Sequence, residues 1–471
     1  MIKELKPYPS YRDSGCPWVG QIPAHWEMKR GKWLFQKMDR PVRAEDEVVT
    51  CFRDGVVTLR KNRRLRGFTE SLKEIGYQGI RKGDLVIHAM DAFAGAIGVS
   101  NSDGKGTPVY SVCEPRQGVN PHYYAYALRE MSRSLWILAL AKGIRERSTD
   151  FRFEAFGVQV FPILPEAEQD AIVHFLDHAD RRIRRAIRAK RKLIALLNEQ
   201  KQIQVHSLLS KGNPSNDSSV TTGNPWFPEI PFGWSLLPLR RLIFQAIDGP
   251  HYSPRYQDAG IPFISARNIK PDKWALGDAK YISEEDYREF SKRVIPTPSD
   301  VLYTKGGTTG IARVVDLDFP FQVWVHVAVL KIKTKKVDPH YLALALNSPK
   351  CYEQSQLYTK GATNQDLGLG RMKDIVLPVP PRALQEILVV ELQRGLADAR
   401  ESIEAIEREI SLLLELRTRL ISDVVTGKLD VREAATQFPA EDLTAESIDD
   451  SEAILEDEEA PEDAESEEVE A

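Results

Sequence analysis

Residues 15–26, GCPWVGQIPAHW, recur at 223–234 as GNPWFPEIPFGW, with Gly, Pro, Trp, Ile, Pro and Trp at the same six positions of twelve. The recurrence continues in order along the chain. RKGDLVIHAM (81–90) returns as TPSDVLYTKG (297–306), which aligns Asp84 with Asp300. VNPHYYAYAL (119–128) returns as VDPHYLALAL (337–346), and Lys142-Gly143 as Lys360-Gly361. Pro162, Pro165 and Gln169 then meet Pro378, Pro381 and Gln385, with offsets that drift only between 208 and 218 residues. A repeat of this length outranks any local motif, because whatever the first half folds into, the second half folds into as well.

Each half reads as a mixed domain followed by one long helix. Short β-branched runs such as DLVIHAM, GAIGVS, PVYSV and DVLYT, punctuated by Gly, Pro, Asn and Asp, predict strands between turns. FQVWVHVAVLKI (321–332) predicts one buried strand. A helix is expected after Asn120-Pro121 and after Asp338-Pro339, where Asn or Asp caps it and proline sits in its first turn. After Pro165, apolar residues recur at Ile172, Leu176, Ala179, Ile183, Ala186, Leu193 and Leu197, with Lys190 as a polar residue in the seam. After Pro381 they recur at Leu392, Leu396, Ala399, Ile403, Ile406, Ile410, Leu413 and Leu420. Both series have heptad spacing, and matched helices in one chain are expected to pack on each other. The first helix leads into the second domain, so the second must return antiparallel. The expected fold is α+β: two similar mixed α/β domains joined by two long antiparallel coiled-coil helices, a pseudo-twofold internal repeat. The expected boundaries are 1–165, 166–211, 212–380 and 381–432, followed by an acidic tail at 433–471.

The net charge of −4 conceals two regions of opposite sign. From Glu433 onward the sequence holds 17 Asp and Glu and no Lys or Arg, so taking those carboxylates off the net charge leaves +13 for residues 1–432. A basic body suits a polyanionic partner. The tail reads as a solubilising segment, with a nucleic-acid mimic competing for the basic surface as the sharper alternative. The four cysteines form no CxxC pair, no stretch has the length and apolarity of a membrane span, and a cytoplasmic location is expected.

Catalytic motifs fail on inspection. Asn224-Pro225-Trp226-Phe227 approaches the Asn-Pro-Pro-aromatic string of adenine-N6 methyltransferases but lacks the second proline. DGKGTP (103–108) is no P-loop, and His174 and His178 lack the glutamate of a zinc protease, so they read as an exposed helical pair. No metal site is expected. What remains suits DNA. Arg60, Lys61, Arg63, Arg64 and Arg66 crowd one short segment, and Lys142, Arg145, Arg147 and Arg152 lie near Phe151 and Phe153. In the second half, TKGGTTG (304–310) offers Lys305, Thr308 and Thr309, and TKGATNQD (359–366) offers Lys360, Thr363, Asn364 and Gln365. Lysine and backbone amides suit phosphates, whereas Arg, Asn and Gln suit base edges.

Several segments together resemble the specificity subunit of type I restriction-modification systems. They are YRDSGCPWVGQIPAHW (11–26), GDLVIHAMDAFAGAIGVSNSDGKGTPVYSV (83–112), KGIRERSTDFRFEAF (142–156), EQDAIVHFLDHADRRI (168–183) and LRTRLISDVVTGKLDVR (416–432). The resemblance implies two target-recognition domains reading a bipartite, asymmetric site on double-stranded DNA. It implies a helix pair that acts as a ruler and docks two modification subunits, with restriction subunits completing the complex. It places no catalytic residue and no cofactor in this chain; S-adenosylmethionine, ATP and magnesium are expected in the partner subunits. Helix one departs from the family pattern in its arginines, Arg181, Arg182, Arg184, Arg185 and Arg188, and the acidic tail lies outside the resemblance. The alternatives are the specificity chain of a stand-alone adenine methyltransferase and, less favoured, a coiled-coil scaffold.

Overall fold

The computed structural model describes residues 5–63, 75–140, 150–211, 218–252, 254–361 and 365–438. The chain forms two compact units, one from Met1–Lys190 with Arg408–Ala471 and one from Arg191–Glu407. Both long helices, Glu166–Lys211 and Arg382–Val425, run from one unit into the other.

The repeat seen in the sequence is a repeat of topology. The first unit holds an antiparallel sheet ordered Phe35–Lys37, Tyr110–Pro115, Leu85–His88, Ile97–Val99. The second holds Ile243–Asp248, Val327–Ile332, Val301–Thr304, Ala312–Val314 in the same order. A two-stranded ladder brackets each domain, Glu27–Arg30 with Val160–Ile163 and Ser235–Pro238 with Val376–Val379. The echoed opening motif forms a hairpin in each unit, Tyr11–Asp13 with Gln21–Pro23 and Ser219–Thr221 with Glu229–Pro231. The units differ where the chain departs from this frame. The first adds the pairs Val49–Cys51 with Val57–Leu59 and Gln78–Ile80 with Gly104–Gly106. The second adds a three-stranded sheet around Ile261–Ile264 and the helix Glu284–Ser291.

The shared residues explain the shared frame. Asn120 and Asp338 cap the helices that follow them, each accepting from the amide two residues on at 2.9 Å, with proline at the first helical position. Gln169 and Gln385, both buried, clamp the start of the long helices. Each side chain accepts from the amide of that cap residue, Asn120 at 2.8 Å and Asp338 at 2.6 Å, and donates to two carbonyls. Asp84 and Asp300 each accept the backbone amide three residues earlier at 2.7 Å. One role has slipped by a residue: Tyr341 donates to the Pro378 carbonyl, and in the first unit Tyr124, not the aligned Tyr123, donates to Pro162.

The motif that nearly spells a methyltransferase string is a turn. The Asn224 side chain accepts from the amides of Trp226 and Phe227 at 2.9 and 3.4 Å, which fixes the loop that connects the two hairpin strands. Trp18 and Trp26 lie in the first core, whereas Trp226 and Trp234 are partly buried against the second. The expected single strand at 321–332 is two strands, Gln322–Val323 and Val327–Ile332. The break at Trp324–His326 lets the first piece pair in parallel with Ile261–Ile264 while the second joins the four-stranded sheet.

In the first unit Asp180 pairs with Arg417 and Lys190 with Glu409, so rising numbers on one helix meet falling numbers on the other. In the second unit Val205 and Leu209 share a core with Leu388, Val389, Leu392 and Leu396. Of the expected seam, Ile172, Leu176, Ala179, Ile183, Leu392, Leu396, Ile406 and Leu420 are buried, and Leu197, Ile403, Ile410 and Leu413 are half-buried. Leu193 is a correction: it is 46% exposed. Ile187 and Ile194 carry the seam where Ala186 and Leu193 were expected, because after Ile183 the stripe advances by four to Ile187 rather than by three.

The C-terminal turn belongs to the first core. Leu420, Val424, Val425, Val431 and Ala435 are buried in it, and the Asp430 amide donates to the Lys6 carbonyl at 2.8 Å. Gly427 has φ +78°, and a Cβ there would lie 2.4 Å from Pro23 Cδ and 2.9 Å from the Trp26 ring. Gly427→Ala should therefore destabilise the first unit by about 2 kcal/mol, from backbone strain and overpacking together. Gly83→Ala, at φ +95° with nothing within 4 Å of its Cβ, isolates the backbone part alone. Equal melting temperatures for the two variants would contradict the Trp26 contact.

Candidate nucleic-acid interface

In the second unit the two glycine-containing loops singled out in the sequence lie against each other. Strand Val301–Thr304 runs into loop 305–310, and the Lys305 carbonyl accepts from the Leu367 amide at 2.8 Å. Gly306 and Asp366 form an isolated β-bridge. Loop 360–366 is closed by reciprocal bonds between the Lys360 and Asp366 backbones at 3.0 and 2.8 Å.

Beneath this crossing an ion cluster forms around the buried Lys305 and Asp248. Lys305 Nζ lies 2.8 Å from Asp366 Oδ1 and 3.5 Å from Asp248 Oδ2. Arg293 Nε donates to the Asp248 carbonyl at 2.8 Å, and His251 stands 3.5 Å from the Asp248 carboxylate. Burial pushes the Asp248 carboxyl up, but the Arg293 hydrogen bond and the charges of Lys305 and Arg293 outweigh it and hold it below the ordinary aspartate range. Trp324 and His326 stack, with ring centroids 5.1 Å apart and planes 4° apart. Desolvation and the nearby Lys305 lower the His326 pKa, so that ring is neutral at pH 7.

The first unit repeats one backbone bond of this crossing with different residues. Strand Leu85–His88 runs into Ala89, whose carbonyl accepts from the Phe151 amide at 3.1 Å. Ala89 aligns with Lys305 and Phe151 with Leu367 at one offset of 216 residues. Ala89 and Phe151 are buried, so an apolar contact replaces the ion cluster. Arg53 reaches Asp91 on this loop at 3.2 Å.

Of the expected contact residues, Thr308, Lys360 and Gln365 are exposed on the second unit's loops. Arg152 is half-exposed beside Asp150 at 2.6 Å. Arg60 donates to Thr50 at 3.2 Å, and Lys61 is exposed and paired with Glu47. Three expectations are corrected. Arg63 is 1% exposed, ion-paired with Asp54 at 2.8 Å and laid over the Phe52 ring. Lys305 is held in the cluster above. Thr309 is buried and accepts from Gln356 Nε2 at 3.0 Å. Each is occupied inside its own unit and presents no surface to a ligand. Arg64, Arg66, Lys142, Arg145, Arg147, Thr363 and Asn364 lie outside the described residues. The sequence reading missed Asp248, Arg293, Trp324 and His326; the only local signal was the polar interruption at His326 in an apolar run.

The family model for the type I restriction modification DNA specificity domain matches residues 244–411, which include both second-unit loops. Residues 244–411 thus resemble the DNA specificity domain of type I restriction-modification systems. The chain is 21% identical over 207 residues to the type I restriction enzyme StySPI specificity subunit of Salmonella potsdam, 43% of this chain and 44% of that one. It is 20% identical over 280 residues to the MjaVIII specificity subunit of Methanocaldococcus jannaschii, 58% of this chain and 62% of that one. The chain thus spans about half the length of the curated specificity subunits it matches. A chain from a solved structure on complex assembly and conformational transition of the type I R-M system covers 87% of this chain and 99% of its own, with a TM-score of 0.59 at 15% identity, a likeness of fold. Among the described residues no helix is long and apolar enough to cross a membrane.

Proposed function

We propose that this chain is the non-catalytic DNA sequence-specificity subunit of a type I restriction-modification complex. One observation carries the reading: the same backbone bond follows the third strand of equivalent sheets in both units, with different residues around it. A matched scaffold with unmatched rims suits the reading of two different half-sites of double-stranded DNA. In the second unit Thr308, Lys360 and Gln365 are the exposed candidates, and in the first Lys61, Arg152 and Arg53, with Arg60 half-buried. Exposed leucines on the long helices, Leu193, Leu196, Leu412, Leu414 and Leu416, fit a docking role for two modification subunits. Those subunits would bring S-adenosylmethionine and adenine-N6 methylation; restriction subunits would bring ATP- and magnesium-dependent cleavage.

The test is methylome sequencing of a host that expresses this chain with its neighbouring modification subunit. One bipartite motif methylated on adenine is expected, and no new methylation beside a competent partner would sink the reading. Exchanging residues 1–165 for those of another family member should change one half of the motif only. A change in both halves would mean that the units do not read independently.

A further inference from the structure

The acidic tail has no place in the proposed reading, and neither do the arginines of the first long helix. Ile172, Leu176, Ala179, Ile183 and Ile187 line the buried side of that helix. At 3.6 residues per turn, His174, His178, Arg181, Arg185 and Arg188 fall about half a turn away from that side, with Arg182 at their edge. Arg182 and Arg185 are exposed. Both carboxylates of this stretch are engaged, Asp180 off that arc and Asp177 at its edge. Asp177 accepts from the Tyr126 hydroxyl at 2.6 Å, and Asp180 pairs with Arg417 and with Arg184 at 2.7 Å. The outward arc from His174 to Arg188 therefore carries mostly cations, with Asp177 at its edge beside Arg181.

At the start of this arc sits Phe438. Its ring stacks on His178 with centroids 3.9 Å apart and planes 11° apart, and it lies 6.4 Å from the His174 ring. The expected exposed histidine pair is thus covered by the last described residue of the chain. The segment that follows, 439–471, holds 16 of the carboxylates and no Lys or Arg. Glu441, Asp442 and Glu446 come three, four and eight residues after Phe438. At ~3.3 Å per residue they reach roughly 10–26 Å, against about 15 Å along the helix from His178 to Arg188.

We propose that residues 439–471 dock on the arginine face of the first long helix, with Phe438 on His178 as the anchor. The charges are complementary, the tether starts at one end of the face, and the first carboxylates span its length. A docked tail occupies a polyanion-binding face, so the face opens only when salt or a competing polyanion displaces the tail.

The test needs no DNA, so it fails or succeeds apart from the specificity-subunit reading. The full chain is treated with a protease that cuts after glutamate, and loss of tail fragments is followed by intact mass. At about 50 mM salt the native tail should be cut at least fivefold more slowly than in the Arg182→Gln/Arg185→Gln chain, and the two rates should converge near 0.5 M, where the Debye length falls below ~5 Å. Phe438→Ala should also speed cleavage at low salt. Both substitutions lie at or near the surface, so an unchanged melting temperature separates undocking from unfolding. Equal cleavage of the native and double-arginine chains at low salt overturns the proposal, as does protection of the native tail that salt does not relieve.

Discussion

Replacing Glu168 by alanine is expected to lower the melting temperature of the first unit by on the order of 10 °C while leaving the second unit in place. Glu168 lies in the first turn of the first long helix with its side chain 4% exposed. Its Oε1 accepts from the Tyr8 hydroxyl at 2.8 Å and from Trp26 Nε1 at 2.9 Å, and its Oε2 meets His25 Nε2 at 2.9 Å. Arg432 approaches from the C-terminal turn at 4.0 Å and covers the Tyr8 ring. One carboxylate therefore ties the start and the end of the described chain to the long helix. Burial and the neighbouring carboxylate push the Tyr8 phenol well above its ordinary pKa, so it remains a donor. Removing the acceptor strands the indole N–H of Trp26, which is fully buried. The loss of a buried, hydrogen-bonded carboxylate costs about 3–5 kcal/mol. A unit of this size shifts by about 2–4 °C per kcal/mol, which sets the expected drop. The aligned residue of the second repeat is Leu384, 43% exposed, so the latch has no counterpart there and Leu384→Ala should cost under about 1 kcal/mol. Scanning calorimetry with amide exchange separates the two units. A shift below about 2 °C, or matched loss of protection in both units, would show that Glu168 does not hold the first unit closed.

The frame was legible because repeated positions carry backbone chemistry. Caps at Asn120 and Asp338 and glutamine clamps at Gln169 and Gln385 recur because each satisfies amides and carbonyls that any copy of the fold must satisfy. The interface was legible only as loops. Arg63, Lys305 and Thr309 have the composition of contact residues, but composition does not reveal whether a cation already owns an acid. Lys305 finds Asp366 61 residues away, beyond any local pattern. Phe438 escaped notice for the same reason: its partners His174 and His178 lie on a helix more than 250 residues earlier. The Leu193 error is of another kind. A strict heptad count past Ile183 lacks the change of step that brings Ile187 and Ile194 inward, and Leu193 beside Ile194 satisfies an apolar pattern equally well.

Replacing Lys305 by methionine should abolish reading by the second unit while sparing the first, without Lys305 touching DNA. Its side chain is 7% exposed, and its ammonium joins loop 305–310 to Asp366 on the facing loop. Methionine fills the volume but leaves Asp366 with Arg371 at 3.8 Å and Asp248 with Arg293 and His251, at a local cost of about 2–3 kcal/mol. The facing loop then loses its side-chain latch, and the exposed Lys360 and Gln365 lose their fixed positions. On the proposed function, affinity for the bipartite target should fall at least tenfold, and the methylated motif should relax in one half only. Salt dependence separates positioning from contact. A lost phosphate contact lowers the slope of log K against log salt by about 1, whereas a lost positioning residue leaves it unchanged. A reduced slope would restore Lys305 to the contact set. The pH profile is a second check. Asp248 has a depressed pKa, so its contribution is present above the unfolded value near 3.9 and is lost only as pH falls through the lower folded value. Between about pH 5.5 and 8 the cluster should therefore hold, and second-unit reading that collapsed in that window would exclude it as the latch. Ala89, at the aligned position, supports the same backbone bond with no charge, so Ala89→Val should act only through crowding and leave the salt slope and the pH profile of the first unit unchanged.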